Sequence, residues 1–510
     1  MFTFTRHQYL CVTIIKCKFA LMFLVRLSVV LTLLILFSCK ENPFGFPVEN
    51  KAPETYSVTD TIIRYGDNRF TTTITVSWWG DDPDGYIAGY ELSVDKLNWE
   101  FTTKKDSSFT VKLPQGTDTL DFVLYIRSVD NRGLKDPNPA FIYYPVKNSP
   151  PAISFVYPSG NPARKPISTF PVIRFSWSAS DPDGDDNISH YEVFINDTTN
   201  QAIVIDHVYK TIILEAVDLI QNIVDCNIYQ GNNLNVHPQK ISGLKLNSLN
   251  ELLIRAVDKV GEKSPIEKSY SIFVRKPQST TLLVNAYSSS IETREDFYKS
   301  NLNACGITNF DILRVNEITG SQYTQLSADN ATQEKVFALF ENIIWFGKDI
   351  DYSMSLAQKT TSAFFNNGGK MFMAVEIASS IDDQAGYLDF SPVDSLVSLP
   401  KGVNNFRIET DSVLIPAISG WPVLKSTKIS NARPFYEEQG AISLYDAKLV
   451  KTGSFGKAAW EGKSTVMAKK LDNNGSTNFI ICSLELHNVN GNSNMVDLFS
   501  KIFKDELKIK

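Results

Sequence analysis

Two stretches in the first half of the chain repeat the same order of apolar and polar positions. Each has an alternating segment that ends in tryptophan, ITVSW at 74–78 and IRFSW at 173–177, and DPDG begins four residues after that tryptophan. Alternation predicts a half-buried strand, and DPDG predicts a turn because proline fixes φ and glycine accepts a positive φ. Each copy closes on a further strand, LYIRSVD ending at Asp130 and LLIRAVD ending at Asp258. The chain therefore contains an internal repeat.

Each copy predicts several short strands separated by turns, which is typical of a β-sandwich. We assign one module to 56–148 and a second module to 149–276, and both resemble bacterial fibronectin type III or Ig-like modules. The second copy is longer because of an asparagine-rich insertion at about 197–245. A solvated elaboration and a binding loop both remain open for this insertion, since long loops on rigid scaffolds often bind ligands.

The pattern changes near residue 280, where short apolar runs begin to alternate with segments of helical period. We predict strands at 282–285, 310–315, 343–347, 370–375 and 478–484, and helices at 292–304, 333–340, 354–366 and about 494–507. Parallel strands separated by helices predict an α/β domain over 280–510. The segment FFNNGGKMFM at 364–373 resembles the helix and strand before the nucleophile turn of class I glutamine amidotransferase-like domains, which implies a flavodoxin-like layout.

The resemblance also implies a catalytic cysteine on the turn after that strand, with a histidine and a glutamate. Here the turn reads AVEIA and has no cysteine, while Glu485 and His487 lie two residues apart near the last strand. Cys305 and Cys482 fall in other elements, and a cysteine mechanism needs all three groups within hydrogen-bond reach. We therefore interpret the domain as a non-catalytic relative. A purely structural spacer is a further alternative.

An enzymatic alternative rests on carboxylates at the predicted strand ends. Asp349 and Asp351 follow the third strand, and Glu376 follows the fourth. Open α/β sheets place ligands at the carboxyl ends of their strands. An envelope hydrolase would need these three side chains to converge in a cleft, and a binding protein would not.

The N-terminus predicts export. Residues 1–38 are basic and lack acidic residues, and Arg26 precedes an apolar run that ends at Ser38-Cys39. This pattern predicts a secretory signal peptide, with either Met1 or Met22 as its start, and an uncleaved anchor as the alternative. The end LFSC resembles a bacterial lipobox, which implies acyl chains on Cys39 as a membrane anchor and a linker over 39–55. Lys40 follows Cys39 in place of the Asp that commonly retains such lipoproteins in the inner membrane, so the resemblance implies the outer membrane, at its periplasmic face or at the cell surface. CKEN loosely resembles Bacteroidota surface-export signals.

Composition limits the chemistry. The chain has 510 residues, a formal net charge of −6, five histidines and six cysteines, without a CxxC pair or a phosphate-loop motif. The negative charge disfavours nucleic acid as a partner. For a protein of the cell envelope we expect a glycan or another envelope protein as partner, and we expect no cofactor. Calcium is the one metal considered, because it prefers carboxylate oxygens. Its candidate ligands are Asp82, Asp84 and Asp130 in the first copy and Asp181, Asp183 and Asp258 in the second.

Overall fold

The computed structural model describes residues 49–62, 73–110, 119–157, 166–182, 184–319, 322–327, 329–348, 350–377, 388–454 and 456–510. Cys39, Asp183 and Asp349 therefore lie outside the described residues. The chain forms two compact units that divide at residue 147. The predicted β-sandwich class is confirmed for the first half, because strands dominate both repeats.

The first unit is a sandwich of two sheets. Their strand orders are β1-β2-β5 and β4-β3-β6-β7. Inward positions such as Ile74, Val76 and Trp78 are buried at 2% exposure or less, as the alternating pattern predicts. The strands are β1 (Glu54–Ile62), β2 (Thr73–Asp81), β3 (Ile87–Ser93), β4 (Glu100–Thr102), β5 (Asp106–Thr110), β6 (Thr119–Asp130) and β7 (Ala140–Lys147).

The second unit begins with the longer copy of the repeat. Its strands are β8 (Ala152–Phe155), β9 (Ser168–Thr169), β10 (Val172–Ser180), β11 (Ile188–Ile195), β12 (Ile203–Asp206), β13 (Thr211–Ala216), β14 (Ile223–Gln230), β15 (Asn235–Val236), β16 (Ile241–Lys245), β17 (Ser248–Asn250), β18 (Leu252–Asp258), β19 (Glu267–Lys268) and β20 (Ile272–Val274). A short 3₁₀ helix, Asp185–Asn187, precedes β11.

The asparagine-rich insertion adds strands to a sheet. β14 pairs with β13, and β15 and β16 both pair with β14, so the sheet of β8, β10 and β13 is extended at one edge. The other sheet, β12-β11-β18-β19, has no such addition. Buried residues such as Cys226, Ile228 and Leu244 anchor the added strands to the sandwich core. The insertion is an ordered part of the sandwich rather than a loose loop.

The C-terminal region contains short helices and many strands. Its helices are α1 (Ile291–Ala304), α2 (Asn330–Phe337), α3 (Ile350–Thr360), α4 (Ser362–Asn366) and α5 (Met495–Phe499), with a 3₁₀ turn at Leu486–Asn488 and a π-helix at Ser500–Glu506 after α5. Its strands are β21 (Thr281–Asn285), β22 (Asp311–Arg314), β23 (Ile318–Thr319), β24 (Gln322–Tyr323), β25 (Asn342–Gly347), β26 (Lys370–Val375), β27 (Val393–Leu396), β28 (Val403–Ile408), β29 (Val413–Pro416), β30 (Leu424–Lys425), β31 (Ser430–Asn431), β32 (Phe435–Glu437), β33 (Ile442–Ala447), β34 (Val450–Gly453), β35 (Gly456–Ala459), β36 (Thr465–Leu471) and β37 (Thr477–Cys482).

A nine-stranded mixed sheet forms the centre of this region. Its order is β22-β21-β25-β26-β37-β36-β33-β29-β30, and the pairs from β22 to β37 are parallel. From β37 to β30 the pairs are antiparallel. The sequence predicted only a helix-separated parallel sheet, so this expectation needs correction. Nearly half of the sheet comes from strands between 413 and 471 that the helical pattern did not reveal.

The predicted helix over 354–366 is divided into α3 and α4. The hydroxyls of Thr360 and Thr361 donate to the carbonyl oxygens of Leu356 and Ala357, four residues earlier. Such side-chain bonds compete with the helical backbone bonds and often bend a helix. The division at Thr361 therefore has a local cause.

The longer sandwich copy and the C-terminal region share one apolar core. Phe170 packs edge to face on Phe340 with ring centroids 5.0 Å apart, and Ile213 belongs to the same buried cluster as Trp345. An ion pair of 3.2 Å joins Arg174 to Asp329, the residue that also caps α2 by accepting from the Thr332 amide. The second unit therefore spans a boundary that the sequence placed near residue 280.

Candidate functional site

The carboxyl ends of the parallel strands bring several polar residues to one edge of the sheet. Tyr287 follows β21, Lys348 follows β25 and Glu376 follows β26, while Glu485 and His487 follow β37. Parallel pairing places these ends side by side, which is where open α/β sheets bind ligands. We call this set of residues the carboxyl edge. The sequence predicted Glu376, Glu485 and His487 here, and the structure adds the other two.

Glu485 is a buried carboxylate with defined partners. It is 8% exposed, and it accepts hydrogen bonds from the Tyr287 hydroxyl at 3.1 Å and from the Asn488 amide at 3.0 Å. Burial and the neighbouring carboxylate raise the pKa of Tyr287 well above its usual value, so its hydroxyl keeps its proton and donates. Because buried charges require such partners, this hydrogen-bond pair fixes the position of Glu485.

His487 lies beside this pair with both ring nitrogens available. Its side chain is 9% exposed, and neither nitrogen has a hydrogen-bond partner among the described residues. The distance from Nε2 to the Glu485 carboxylate is 4.0 Å, and the rings of Tyr287 and Phe297 lie 6.3 and 6.1 Å away, centroid to centroid. One neutral imidazole offers one donor and one acceptor.

The charge state of His487 follows from its surroundings. Burial lowers its pKa to about 4, and the positive charges of Arg294, Lys428 and Lys348 act in the same direction, against the opposing charge of Glu485. The ring is therefore neutral at physiological pH. Three cations therefore act on the ring besides the Glu485 carboxylate, and they are groups with which an anionic ligand can pair.

Helix α1 adds further polar groups at the same edge. The Arg294 guanidinium lies 5.6 Å from the Tyr287 ring centroid, and its Nε is buried without a hydrogen-bond partner among the described residues. A groove of about 360 Å³ opens where α1 begins, directly after Tyr287, and is lined by residues 288–293 together with Arg314 and Glu317. Sequence reasoning missed Tyr287 and Arg294, although the position of Tyr287 just after a strand was an available signal.

The carboxylates of the hydrolase alternative are only partly described. Glu376 is half-buried and accepts a hydrogen bond of 2.9 Å from the Asn431 amide. Asp351 lies in the first turn of α3, and Asp349 lies outside the described residues. The convergence of these three carboxylates stays a prediction.

The cysteines within the described residues are free and buried. Cys482 is fully buried within β37, and burial raises the pKa of its thiol to about 12. The Cys305 thiol donates to the Leu302 carbonyl oxygen after α1, and burial raises its pKa as well. Cys226 lies in the core of the second sandwich, with its pKa raised by the same cause. Thiolates are the reactive form, so these three residues lack the electrostatics of a nucleophile.

The calcium candidates mostly cap turns. Asp130 accepts from the backbone amides of Arg132 and Leu134, and Asp258 accepts from those of Val260, Gly261 and Glu262. In each copy an asparagine from the preceding linker donates to the second carboxylate oxygen, Asn50 to Asp130 and Asn148 to Asp258. These carboxylates therefore hold backbone turns together.

The remaining calcium candidates lie near the same turns. Asp82 accepts from the Asp84 amide at 3.3 Å, and Asp84 accepts from the Lys51 amide at 3.2 Å and forms an ion pair with Arg132 at 3.7 Å. The Asp181 amide donates to Asp185, and Asp183 lies outside the described residues. Within the described ranges, no three His, Cys, Asp or Glu side chains are placed to hold a metal ion. Calcium binding stays a prediction.

A second cavity of about 780 Å³ lies at the opposite edge of the sheet. Thr281, Asn342 and Lys370, which begin β21, β25 and β26, line it together with Lys508 and Lys510. Amino ends of parallel strands are not the usual ligand edge, and the lysines there are at least partly exposed. We therefore place the candidate site at the carboxyl edge. None of the helices in the described part of the chain has the length and apolar character that a membrane crossing needs.

Comparisons with known proteins found similarity among solved structures alone. No protein family matches the sequence, and no curated protein matches it either. Among solved structures, a two-domain fibronectin type III segment of chicken tenascin is 15% identical and covers 44% of this chain and 100% of its own, with a TM-score of 0.22.

Two further neighbours are also β-sandwiches. The fibronectin III-like modules of Clostridium thermocellum CbhA are 13% identical and cover 43% of this chain and 94% of their own, with a TM-score of 0.16. A carbohydrate-binding module of the β-sandwich superfamily is 9% identical and covers 45% of this chain and 86% of its own, with a TM-score of 0.15. Such low scores carry no argument about function.

Proposed function

We propose that the protein is a cell-envelope lipoprotein whose C-terminal domain binds a small anionic ligand at the carboxyl edge without covalent chemistry. Acyl chains on Cys39 would anchor the chain, and the two sandwich modules would space the binding domain from the outer membrane. The signal pattern of residues 1–38 and the lipobox-like LFSC support the anchor. The charges around His487 support the ligand class.

The amidotransferase-like interpretation is part of this proposal. The parallel strands lie side by side in the order β22-β21-β25-β26-β37. If these five strands are numbered by their position along the chain, the order across the sheet is 2-1-3-4-5, which is the doubly wound order of flavodoxin-like sheets. The antiparallel strands β36, β33, β29 and β30 would then be an addition at one edge. On this interpretation, the turn after β26 is the place of the family's nucleophile, and Val375-Glu376 stand there without a cysteine.

One observation carries the binding role. Glu485 is held by Tyr287 and Asn488, and beside it the neutral ring of His487 keeps a donor and an acceptor free of protein partners. Buried polar atoms in proteins are usually paired, so this arrangement is suited to hydrogen-bonding a bound molecule. The described thiols are buried with raised pKa values, which favours binding over catalysis.

The ligand class follows from the charges and from the proposed location. Arg294, Lys348 and Lys428 are cations with which an anion can pair, and the glycans of a cell envelope include some that bear carboxylates. We therefore choose soluble muropeptides, the carboxylate-bearing fragments of peptidoglycan, as the probe. Neutral chito-oligosaccharides of similar length are the matched control ligand.

Thermal unfolding of the intact chain tests the site. We expect muropeptides to raise the melting temperature, because a ligand at a hundred times its Kd stabilises the folded state by about 2.7 kcal/mol. His487→Phe keeps an aromatic ring but removes both nitrogens, so it should abolish the shift. Lys510→Met removes a cation at the opposite edge and should retain the shift. An equal shift in the His487→Phe variant would exclude the carboxyl edge as the site.

Lipid attachment is tested separately. Cells given a labelled fatty acid should incorporate it into the wild-type chain and not into Cys39→Ser, and the variant should leave the membrane fraction. Label retained in Cys39→Ser would contradict lipid attachment at Cys39, and it would not affect the proposal of a ligand site at the carboxyl edge.

The hydrolase remains the second candidate because Glu376 directly follows β26 and Asp351 lies in the helix that follows β25, the neighbouring parallel strand. Glu376→Gln should leave ligand binding and ligand integrity unchanged if the domain only binds. Release of smaller fragments by the wild type, and its loss in Glu376→Gln, would favour the hydrolase.

A further inference from the structure

The outer face of the first sandwich carries an exposed aromatic pair. Tyr56 of β1 lies directly opposite Trp79 of β2, and the two side chains are 41% and 49% exposed. Their ring centroids are 5.6 Å apart with 16° between the ring planes. The Tyr56 hydroxyl donates to Glu54 at 2.7 Å, which fixes the orientation of its ring. The pair is therefore an ordered feature of the surface.

Two carboxylates lie directly opposite each other beside this pair. Glu54 and Asp81 are cross-strand partners one step further along the same face of β1 and β2. Neither forms an ion pair among the described residues, and like charges directly opposite each other destabilise a sheet. The hydrogen bond to Glu54 and the charges of Glu54, Asp81 and Asp136 also raise the pKa of Tyr56, which shows that the ring lies in a negative field.

The second copy of the repeat shows that the fold does not need these residues. There Trp177 pairs with Phe155 as Trp78 pairs with Ser57, so the registers of the two copies correspond. The positions of Tyr56 and Trp79 are occupied by Ser154 and Ser178, and those of Glu54 and Asp81 by Ala152 and Ser180. The same pair of strands forms without rings or charges, so the first copy has gained a surface that stability does not explain.

From this juxtaposition we propose that Glu54, Tyr56, Trp79 and Asp81 form a docking site for a lysine- or arginine-bearing extended segment of a partner protein. Aromatic faces are electron-rich and attract ammonium and guanidinium groups, and the two carboxylates supply the complementary charge. β1 is an edge strand of its sheet within the described residues, so its outer side is open to an extended segment. This surface belongs to the first unit and is independent of the carboxyl edge.

A peptide titration with the full chain tests the proposal. The probe is a fluorescein-labelled peptide of alternating Lys and Thr, which places its lysines on one face when extended, and binding is read from fluorescence anisotropy. The double substitution Tyr56→Ser/Trp79→Ser copies the second repeat and leaves the net charge unchanged. We expect it to weaken binding about tenfold, because desolvated cation–aromatic contacts contribute on that scale.

Three further binding measurements separate the contribution of the carboxylates from that of the aromatic rings. Glu54→Ala/Asp81→Ser should also weaken binding and should reduce its dependence on salt. Val58→Ser is the matched control, because Val58 is 45% exposed on the same strand face but has neither ring nor charge, and it should bind as the wild type does. A peptide with acetylated lysines should not bind.

Two outcomes would overturn the proposal. Equal binding by Tyr56→Ser/Trp79→Ser and the wild type would mean that the peptide senses only the net negative charge of the chain. Displacement of the peptide by neutral cello-oligosaccharides would mean that the aromatic pair is a glycan platform instead. Circular dichroism of each variant checks that the sandwich remains folded.

Discussion

The two copies of the repeat use the same devices to hold their folds and differ on their surfaces. In both, a buried tryptophan meets a tyrosine edge to face, Trp78 with Tyr90 and Trp177 with Tyr191. In both, a linker asparagine donates to the aspartate that caps the last turn. The difference is that the first copy carries an exposed aromatic and acidic face, while the second has a widened sheet and a shared core with the C-terminal region.

A third shared device is an ion-pair network on the opposite sheet. Glu91 accepts from Arg127 and pairs with Lys135 at 2.7 Å, and its counterpart Glu192 pairs with Arg255 and with Lys263. Features present in both copies therefore mark what the sandwich needs. Features present in one copy mark where interactions with other molecules are to be sought.

The largest expected effect is on the shared tryptophans. Trp78→Ala and Trp177→Ala should each lower the free energy of unfolding by about 3–5 kcal/mol, because each side chain is only 2% exposed and leaves a cavity. Urea denaturation of the full chain measures both. A loss below about 1 kcal/mol in one copy would mean that its core does not depend on this anchor.

The turn aspartates should have the next largest effect. Asp130→Ala and Asp258→Ala each free several backbone amides from a carboxylate that is 2% exposed, so we expect losses of about 2–3 kcal/mol. Asn substitutions keep one acceptor oxygen and should lose less. If millimolar calcium raised the wild-type melting temperature and these variants abolished the rise, the aspartates would be metal ligands as well as caps.

The shared glutamates predict a pH dependence. Burial opposes ionisation of Glu91 and Glu192, but hydrogen bonds from their lysine and arginine partners outweigh it and lower the pKa of both carboxyls. A lowered pKa contributes stability above the unfolded value near 4.5, and this is lost as the pH falls through the folded value. Glu91→Gln and Glu192→Gln should therefore flatten the loss of stability below about pH 4.5, measured by thermal melts from pH 7 to pH 3. Unchanged slopes would show that the networks are too solvated to matter.

The smallest effect concerns the face that only the first copy has. Asp81→Ser should raise the stability of the first sandwich by about 0.2–1 kcal/mol, because it removes a like-charge pair across β1 and β2. The corresponding change in the second copy, Ser180→Asp, places one acidic residue opposite Ala152 and should change stability little. Destabilisation by Asp81→Ser would indicate a structural role for the pair.

Local patterns were sufficient to predict the repeats and the helix-linked strands. Alternation with a terminal tryptophan, and DPDG after it, specify β2 and β10 because burial and turn chemistry act within a few residues. The strands β29, β33 and β36 escaped prediction because their buried and exposed positions do not alternate strictly. Tertiary context, not propensity, decides such strands.

The site could be predicted only in part. Glu485 and His487 stood out because few histidines are present and the two lie two residues apart after a strand. Tyr287 and Arg294 come from the start of the same domain, nearly two hundred residues earlier, and meet Glu485 and His487 only through the parallel pairing of the sheet. The spacing of residues along the sequence does not predict that these four side chains lie close together.

The central claim is that the carboxyl edge binds an anionic ligand through His487 and does not transform it. Isothermal titration of the intact chain with muropeptides, followed by mass spectrometry of the recovered ligand, tests this most directly. The account predicts one-to-one binding, an unchanged ligand mass and loss of binding in His487→Phe. A cleaved ligand, or binding that persists in His487→Phe, would contradict it.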